Sequence, residues 1–239
     1  MDRYTAPMAF DRALVEAIPG WLTRKEASLL YGLARRCTGK GVIVEIGSWK
    51  GKSTACLGQG SRDGARVKVH AIDPFTGSSE HGDVYTFPEF QSNVKATGIE
   101  SLVTPHPMTS KDAAVGWTEP IELLWIDGAH EYECVHLDYT LWEPHLIPGG
   151  VIAFHDSTDP GVWPVIDTYL FRGKGFRRVR FIDGVTYAVK GKPVFGANRL
   201  MMLARDIKYM LWKMRDDWRK RRRKNKALAR SGKRNDAPY

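Results

Sequence analysis

Apolar and polar positions along the chain alternate between two periods. Short runs rich in Val, Ile and aromatic residues occur at 42–46, 67–73, 102–104, 121–127 and 149–156, each the length of a buried strand. Between them lie segments with apolar residues at steps of three and four. Thr23-Arg-Lys-Glu26 reads as a capping box, and Ala27, Leu29, Leu30, Leu33 and Ala34 continue it as a helix up to Gly39. Tyr132 to Trp142 has helical spacing, as do Val165, Ile166, Tyr169 and Leu170. Two alternating strands, Phe176–Phe181 and Val185–Val189, follow across Asp183-Gly184, a hairpin turn signal. The pattern predicts an α/β domain with a mostly parallel sheet, helices on both faces and an antiparallel C-terminal hairpin. Thr76 to Pro88 has no apolar period and reads as a mobile loop.

The first strand runs into a glycine turn, Glu45-Ile-Gly47-Ser-Trp-Lys-Gly51-Lys-Ser53. A phosphate-binding loop requires four residues between its first glycine and Gly-Lys-Ser, and this turn has three. The dinucleotide fingerprint requires glycines where Trp49 and Lys52 stand. The remaining pattern, Glu45-x-Gly47-x-x-x-Gly51, resembles the first motif of class I S-adenosylmethionine-dependent methyltransferases. The resemblance covers residues 20–191 in element order and implies a Rossmann-like seven-stranded sheet. It also implies that Glu45, Gly47, Gly51 and Ser53 cradle the methionine end of the cofactor. Asp73 ends the second strand 26 residues after Gly47, near the distance expected of a ribose-binding carboxylate. Ser110 stands where this fold contacts adenine.

Trp125-Ile-Asp127-Gly-Ala-His130, with Leu146-Ile-Pro-Gly-Gly150 and Phe154-His-Asp156-Ser157, resembles a bacterial sugar O-methyltransferase subgroup, macrocin-type, with cephalosporin-hydroxylase-like relatives. There, strand-end carboxylates hold a divalent metal. Asp127 and Asp156 match, and Asp127 also faces the cofactor; His155 replaces the usual first acid of the pair and either coordinates as the third ligand or faces into the packing. Carboxylate ligands favour Mg²⁺. A metal-bound hydroxyl is easier to deprotonate, and His130, three residues past Asp127, is the expected base. The expectation is an O-methyltransferase acting on a sugar or glycan hydroxyl. An RNA methyltransferase would bind with steep salt dependence; a hydroxylase would require an iron ligand set; a non-catalytic binder would hold cofactor without turnover.

Charge changes the picture only at the C-terminus. Of the net +9, residues 199–239 carry +11 and the rest carry −2. Three cysteines without metal spacing suggest neither disulfides nor zinc, and no signal or spanning segment is legible, so a cytoplasmic protein is expected. Residues 1–20 read as an N-terminal extension, 21–195 as the methyltransferase domain and 196–239 as a basic amphipathic helical tail. In the tail, Leu200, Leu203, Ile207, Met210, Met214 and Trp218 recur at helical steps before the cationic block Arg219–Lys224. It admits three partners: an anionic membrane surface, through residues 200–234, at the inner membrane face; the body or a second subunit in a homo-oligomer; and, less favoured, nucleic acid.

Overall fold

The computed structural model describes residues 10–78, 82–192 and 200–207, with Met210, Met214 and Trp218. The chain divides into two compact units, 1–198 and 199–239. In the first, a seven-stranded sheet is built from β1 (Val42–Ile46), β2 (Val69–Ile72), β3 (Val103–His106), β4 (Ile121–Ile126), β5 (Leu146–Phe154), β6 (Phe176–Ile182) and β7 (Val185–Lys190). Its order is β3-β2-β1-β4-β5-β7-β6, parallel through β5 and antiparallel beyond. Helices α1 (Arg12–Ala17), α2 (Arg24–Arg35), α3 (Lys52–Arg62), α4 (Phe87–Ala96), α5 (Ser110–Ala113), α6 (Tyr132–Trp142) and α7 (Trp163–Ile166) cover it. A π-helical turn, Asp167–Phe171, extends α7.

The apolar runs form strands because both sheet faces are covered. Ile43, Val44, Val69, Leu124, Trp125 and Ile152 are fully buried, each such side chain contributing about 1.5–3 kcal/mol by leaving water. The capping box forms as expected: the Thr23 side chain accepts from the Glu26 amide, and Glu26 accepts from the Thr23 amide. Helices α2 and α3 approach closely at Gly60, where a Cβ would come within 2.3 Å of the Tyr31 carbonyl oxygen. Phe10, Val15 and Ile18, in the stretch read as an extension, pack into or against the core. Between Thr76 and Pro88 a short ribbon pairs Gly77–Ser78 with Gly82–Asp83, and α4 begins at Phe87; residues 79–81 lie outside the described part.

Strand register positions the site. Ile46 pairs with Ile72 on one side and Ile126 on the other, and Ile126 pairs with Phe154. The next residues therefore stand side by side along the carboxyl edge in the order Asp73, Gly47, Asp127, His155. Backbone bonds continue the ladder there: the amides of Gly47, Asp127 and His155 donate to Ile72, Ile46 and Ile126 at 2.9, 2.8 and 3.0 Å. The strand order reverses between β1 and β4, the switch point where open α/β sheets bind ligands.

In the second unit, Leu200–Ile207 is helical, as are Met210, Met214 and Trp218. Leu200, Leu203, Ile207, Met210, Met214 and Trp218 are all exposed. The cationic block Arg219–Lys224 lies outside the described residues. Among the described residues no helix is long and apolar enough to cross a membrane.

Candidate active site

An opening of about 970 Å³ lies over the switch point. Gly47, Ser53, Asp73, Ser110, Asp127 and Asp156 all line it, as do His130 and His155. Glu45 and Gly51 do not appear in its wall.

Gly47 has φ 85°, and a Cβ there would fall 2.0 Å from the Asp127 carbonyl oxygen, so only glycine lets the loop cross β4 this closely. Gly51 caps α3 with φ 86°. Trp49, between them, also has positive φ, 41°, which is strained for a bulky residue. Asp73 fastens the loop: its Oδ2 accepts from the Ser48 and Trp49 amides at 2.9 and 2.8 Å, and its Oδ1 from the Phe75 amide at 2.6 Å. Burial pushes its pKa up, against those bonds.

Glu45 takes a different part from the one expected. It is fully buried beneath the loop, where its Oε2 accepts from the Ser48 and Thr54 hydroxyls at 2.8 and 2.5 Å. Burial raises its pKa to about 7, although hydroxyls of Ser53, Thr54 and Ser48 oppose the shift. It shapes the loop from below, without facing the opening.

The donor set fits a phosphate-free nucleoside. Lys52 donates to the Gly20 carbonyl at 3.1 Å and Lys50 pairs with Glu89 at 2.5 Å, so both loop lysines are engaged away from the loop's centre. A carboxylate, Asp73, occupies the place beside the loop amides, and it suits ribose hydroxyls and repels phosphate.

At the β4–β5 end, charges gather. One ligand atom each from Asp127, His130 and Asp156 lies within 4.8 Å of the others, a set of two carboxylates and an imidazole suited to a divalent cation. Asp156 has φ 41°, a second strained position at the edge of the opening. Of the two places open to His155, ligand or packing, the structure shows it buried, with Nδ1 3.0 Å from Asp127 and 3.1 Å from Asp156, and Nε2 3.6 Å from Glu26. Burial disfavours its charge, but the three carboxylates outweigh burial and push its pKa up to about 12. Of the two imidazoles, His130 is the one whose nitrogen converges with both aspartates.

Sequence reasoning missed two buried carboxylates. Glu26, read only as a capping residue, accepts from the Gly184 amide at 2.7 Å and joins α2 and the β6–β7 turn to His155. Asp138 lines the opening from α6 and accepts from the Ser110 hydroxyl. An acidic residue on the inward side of a helix was the available signal for both.

Residues 44–157 match the sequence profile of the family described as "Methyltransferase domain". The fold is similar to that of the O-methyltransferase NovP (TM-score 0.60, 17% identity, 70% of this chain and 79% of that one). It is similar to the O-methyltransferase TomG from Streptomyces achromogenes, involved in tomaymycin synthesis and solved with SAM (0.54, 19%, 72% and 82%). An O-methyltransferase from Bacillus cereus in complex with SAH is also similar (0.53, 18%, 76% and 89%). This sheet order is that of the Rossmann-like methyltransferase fold, and the stretch that matches the methyltransferase-domain profile carries the glycine loop, Asp73, Asp127 and Asp156.

Proposed function

We propose that the chain transfers the methyl group of S-adenosylmethionine to a hydroxyl of a sugar or glycan, with Mg²⁺ held by Asp127 and Asp156 and His130 as the base. The observation that carries this is the convergence of Asp127, His130 and Asp156 beside the loop. The oxygen acceptor is supported by the described activity of NovP, TomG and the Bacillus cereus protein, each an O-methyltransferase. The sulfonium methyl is already electrophilic, so what the protein adds is alignment and proton removal. A divalent cation bound by the two carboxylates would lower the pKa of the acceptor hydroxyl. His130 Nε2, 3.6 Å from Asp156 Oδ2, stands where it can take that proton. A sugar is further supported by the Trp21 ring, exposed and 4.8 Å from the Trp49 ring at the wall of the opening, an apolar surface on which a pyranose can lie.

Glu45, Gly47, Gly51, Ser53, Asp73, Ser110 and Asp127 form the cofactor side in this proposal, with Glu45 and Gly51 acting through the loop's shape. One observation favours a second role for His130: its nitrogen completes the ligand set. Calorimetry separates the two. A base can be removed in His130→Ala with Mg²⁺ affinity unchanged, whereas a ligand cannot.

The decisive experiment is methyl transfer by the full chain to panels of glycosides and catechols, with and without chelator. Chelator-sensitive transfer to glycosides is expected. Transfer indifferent to chelator would remove the metal, and transfer to catechols alone would remove the sugar. The tail completes the proposal. Its exposed apolar face and net charge of +11 suit an anionic lipid surface on the cytoplasmic side. The full chain should then sediment with phosphatidylglycerol vesicles but not with phosphatidylcholine ones. Equal recovery from both would reject it; a homo-oligomer or nucleic-acid binding would be seen as a concentration-dependent mass or an RNA mobility shift.

A further inference from the structure

Gly51-Lys52-Ser53 has the residues of a phosphate loop at the wrong spacing, and the proposed cofactor side takes up Gly51 and Ser53 but not Lys52. Lys52 opens α3, where a cation opposes the helix dipole. Its ammonium turns off the helix and donates to the Gly20 carbonyl at 3.1 Å. Its stem lies against Gly20, where a Cβ would come within 3.0 Å of Lys52 Cδ, and Gly20 holds φ 145°, a conformation that favours glycine. The segment before α2 is therefore fastened to the first residue of the helix that follows the glycine loop.

Trp21 comes next in the chain, its ring 63% exposed at the wall of the opening and 4.8 Å from the Trp49 ring. Trp49 belongs to the loop: its φ is 41° and its amide donates to Asp73 Oδ2 at 2.8 Å. One ring of the aromatic platform is thus set by the loop and the other by Lys52. Ile18 is buried and Thr23 caps α2, so Lys52 acts on a short span held at both ends. We propose that Lys52 is a positioning residue for the acceptor, holding Trp21 at the spacing from Trp49 on which the C–H face of a pyranose can lie. The proposal rests on the S-adenosylmethionine and sugar readings and adds an order of binding to them. A ligand on the loop and Asp73 fixes Trp49 and, through Lys52, Trp21, so the cofactor is bound first and the acceptor meets a platform already set. A preset platform spares the acceptor the ordering of two side chains.

The test is fluorine NMR of the full chain labelled with 5-fluorotryptophan, with S-adenosylhomocysteine as the probe and no acceptor present. Trp21→Phe and Trp49→Phe assign the two signals. In the unaltered protein the probe should move both. In Lys52→Met, which keeps the stem and removes the donor, the Trp49 signal should still move and the Trp21 shift should be lost, with probe affinity by calorimetry within about threefold. Lys52→Arg, which restores a donor, should recover the Trp21 shift. With a glycoside that is methylated, Lys52→Met should raise KM roughly tenfold at nearly constant kcat, and should add nothing further to Trp21→Ala. Near-UV circular dichroism confirms that each variant is folded. A Trp21 signal unmoved by bound probe in the unaltered protein, or moved equally in Lys52→Met, overturns the proposal. Failure of the unaltered protein to bind the probe is a different result, overturning the cofactor reading and this inference with it.

Discussion

At the β1–β2 end of the opening each carboxylate stands among neutral donors, and at the β4–β5 end carboxylates and imidazoles are packed against one another. Glu45 is surrounded by hydroxyls and Asp73 by backbone amides, and burial drives both pKa values up. Around Asp127 and Asp156 the sign differs by residue. Burial raises Asp127, with Asp156 adding to it and His155 opposing, whereas Asp156, although partly buried, is held low by His155. One end of the opening therefore presents carboxylates held by neutral hydrogen-bond donors, and the other concentrates charge, as the proposed cation and base would require. The glycine loop crossing β4 at Gly47 is the seam between them.

Asp127→Ala breaks the comparison most severely. It removes the carboxylate shared by His155 and the proposed cation site, so methyl transfer should fall by roughly 10³-fold; initial rates measured beside S-adenosylhomocysteine affinity will show whether the damage crosses the seam. His130→Ala should cost roughly 10²-fold in turnover with cofactor affinity within about threefold, and a large loss of cofactor binding would place His130 on the other side.

Glu45→Gln probes the neutral end through pH. The folded protein holds the Glu45 proton more tightly than the unfolded chain, since the pKa rises from 4.5 to about 7. Stability from this group is therefore full below pH 4.5 and declines by roughly 3 kcal/mol as pH approaches 7. Denaturant melts across that window should show the decline flattened in Glu45→Gln; an identical slope would mean Glu45 ionises freely. Smallest is Thr23→Ala, which removes half of the capping box that presents Glu26 to His155. It should cost about 1 kcal/mol, measured by thermal denaturation, with a change in Mg²⁺ affinity only if α2 steers the charged end.

The strands were legible because sheets covered on both faces demand continuous apolar runs, and α2 because its capping box is local. Asp73, Asp127 and Asp156 were legible as strand-end carboxylates, since in a parallel sheet every such position falls on one edge. His155 and Glu26 were not. Their roles depend on a contact between segments 129 residues apart in the chain, and the sequence shows only a histidine beside an aspartate and a glutamate in a helix start. Glu45 misled for a related reason: an acid two residues before a glycine turn signals the loop, but the pleat decides whether it faces ligand or core, and here Ser48 and Thr54 claim it. The start of α1 was missed because six residues carry too little period to register.

The bond from the Gly184 amide to Glu26 spans 158 residues. Asp73, Gly47, Ser110 and Asp138 all lie before residue 139, whereas His155 gains its third carboxylate neighbour, with Glu26 fastened, only once the β6–β7 turn exists. As a chain leaves the ribosome, then, the glycine loop and the Asp73 bonds that fasten it can be assembled before the bond from Gly184 that fastens Glu26 beside His155. Closing the longer loop carries the greater entropic cost, so in refolding followed by amide exchange Gly184 should be protected after the loop amides of Ser48 and Trp49.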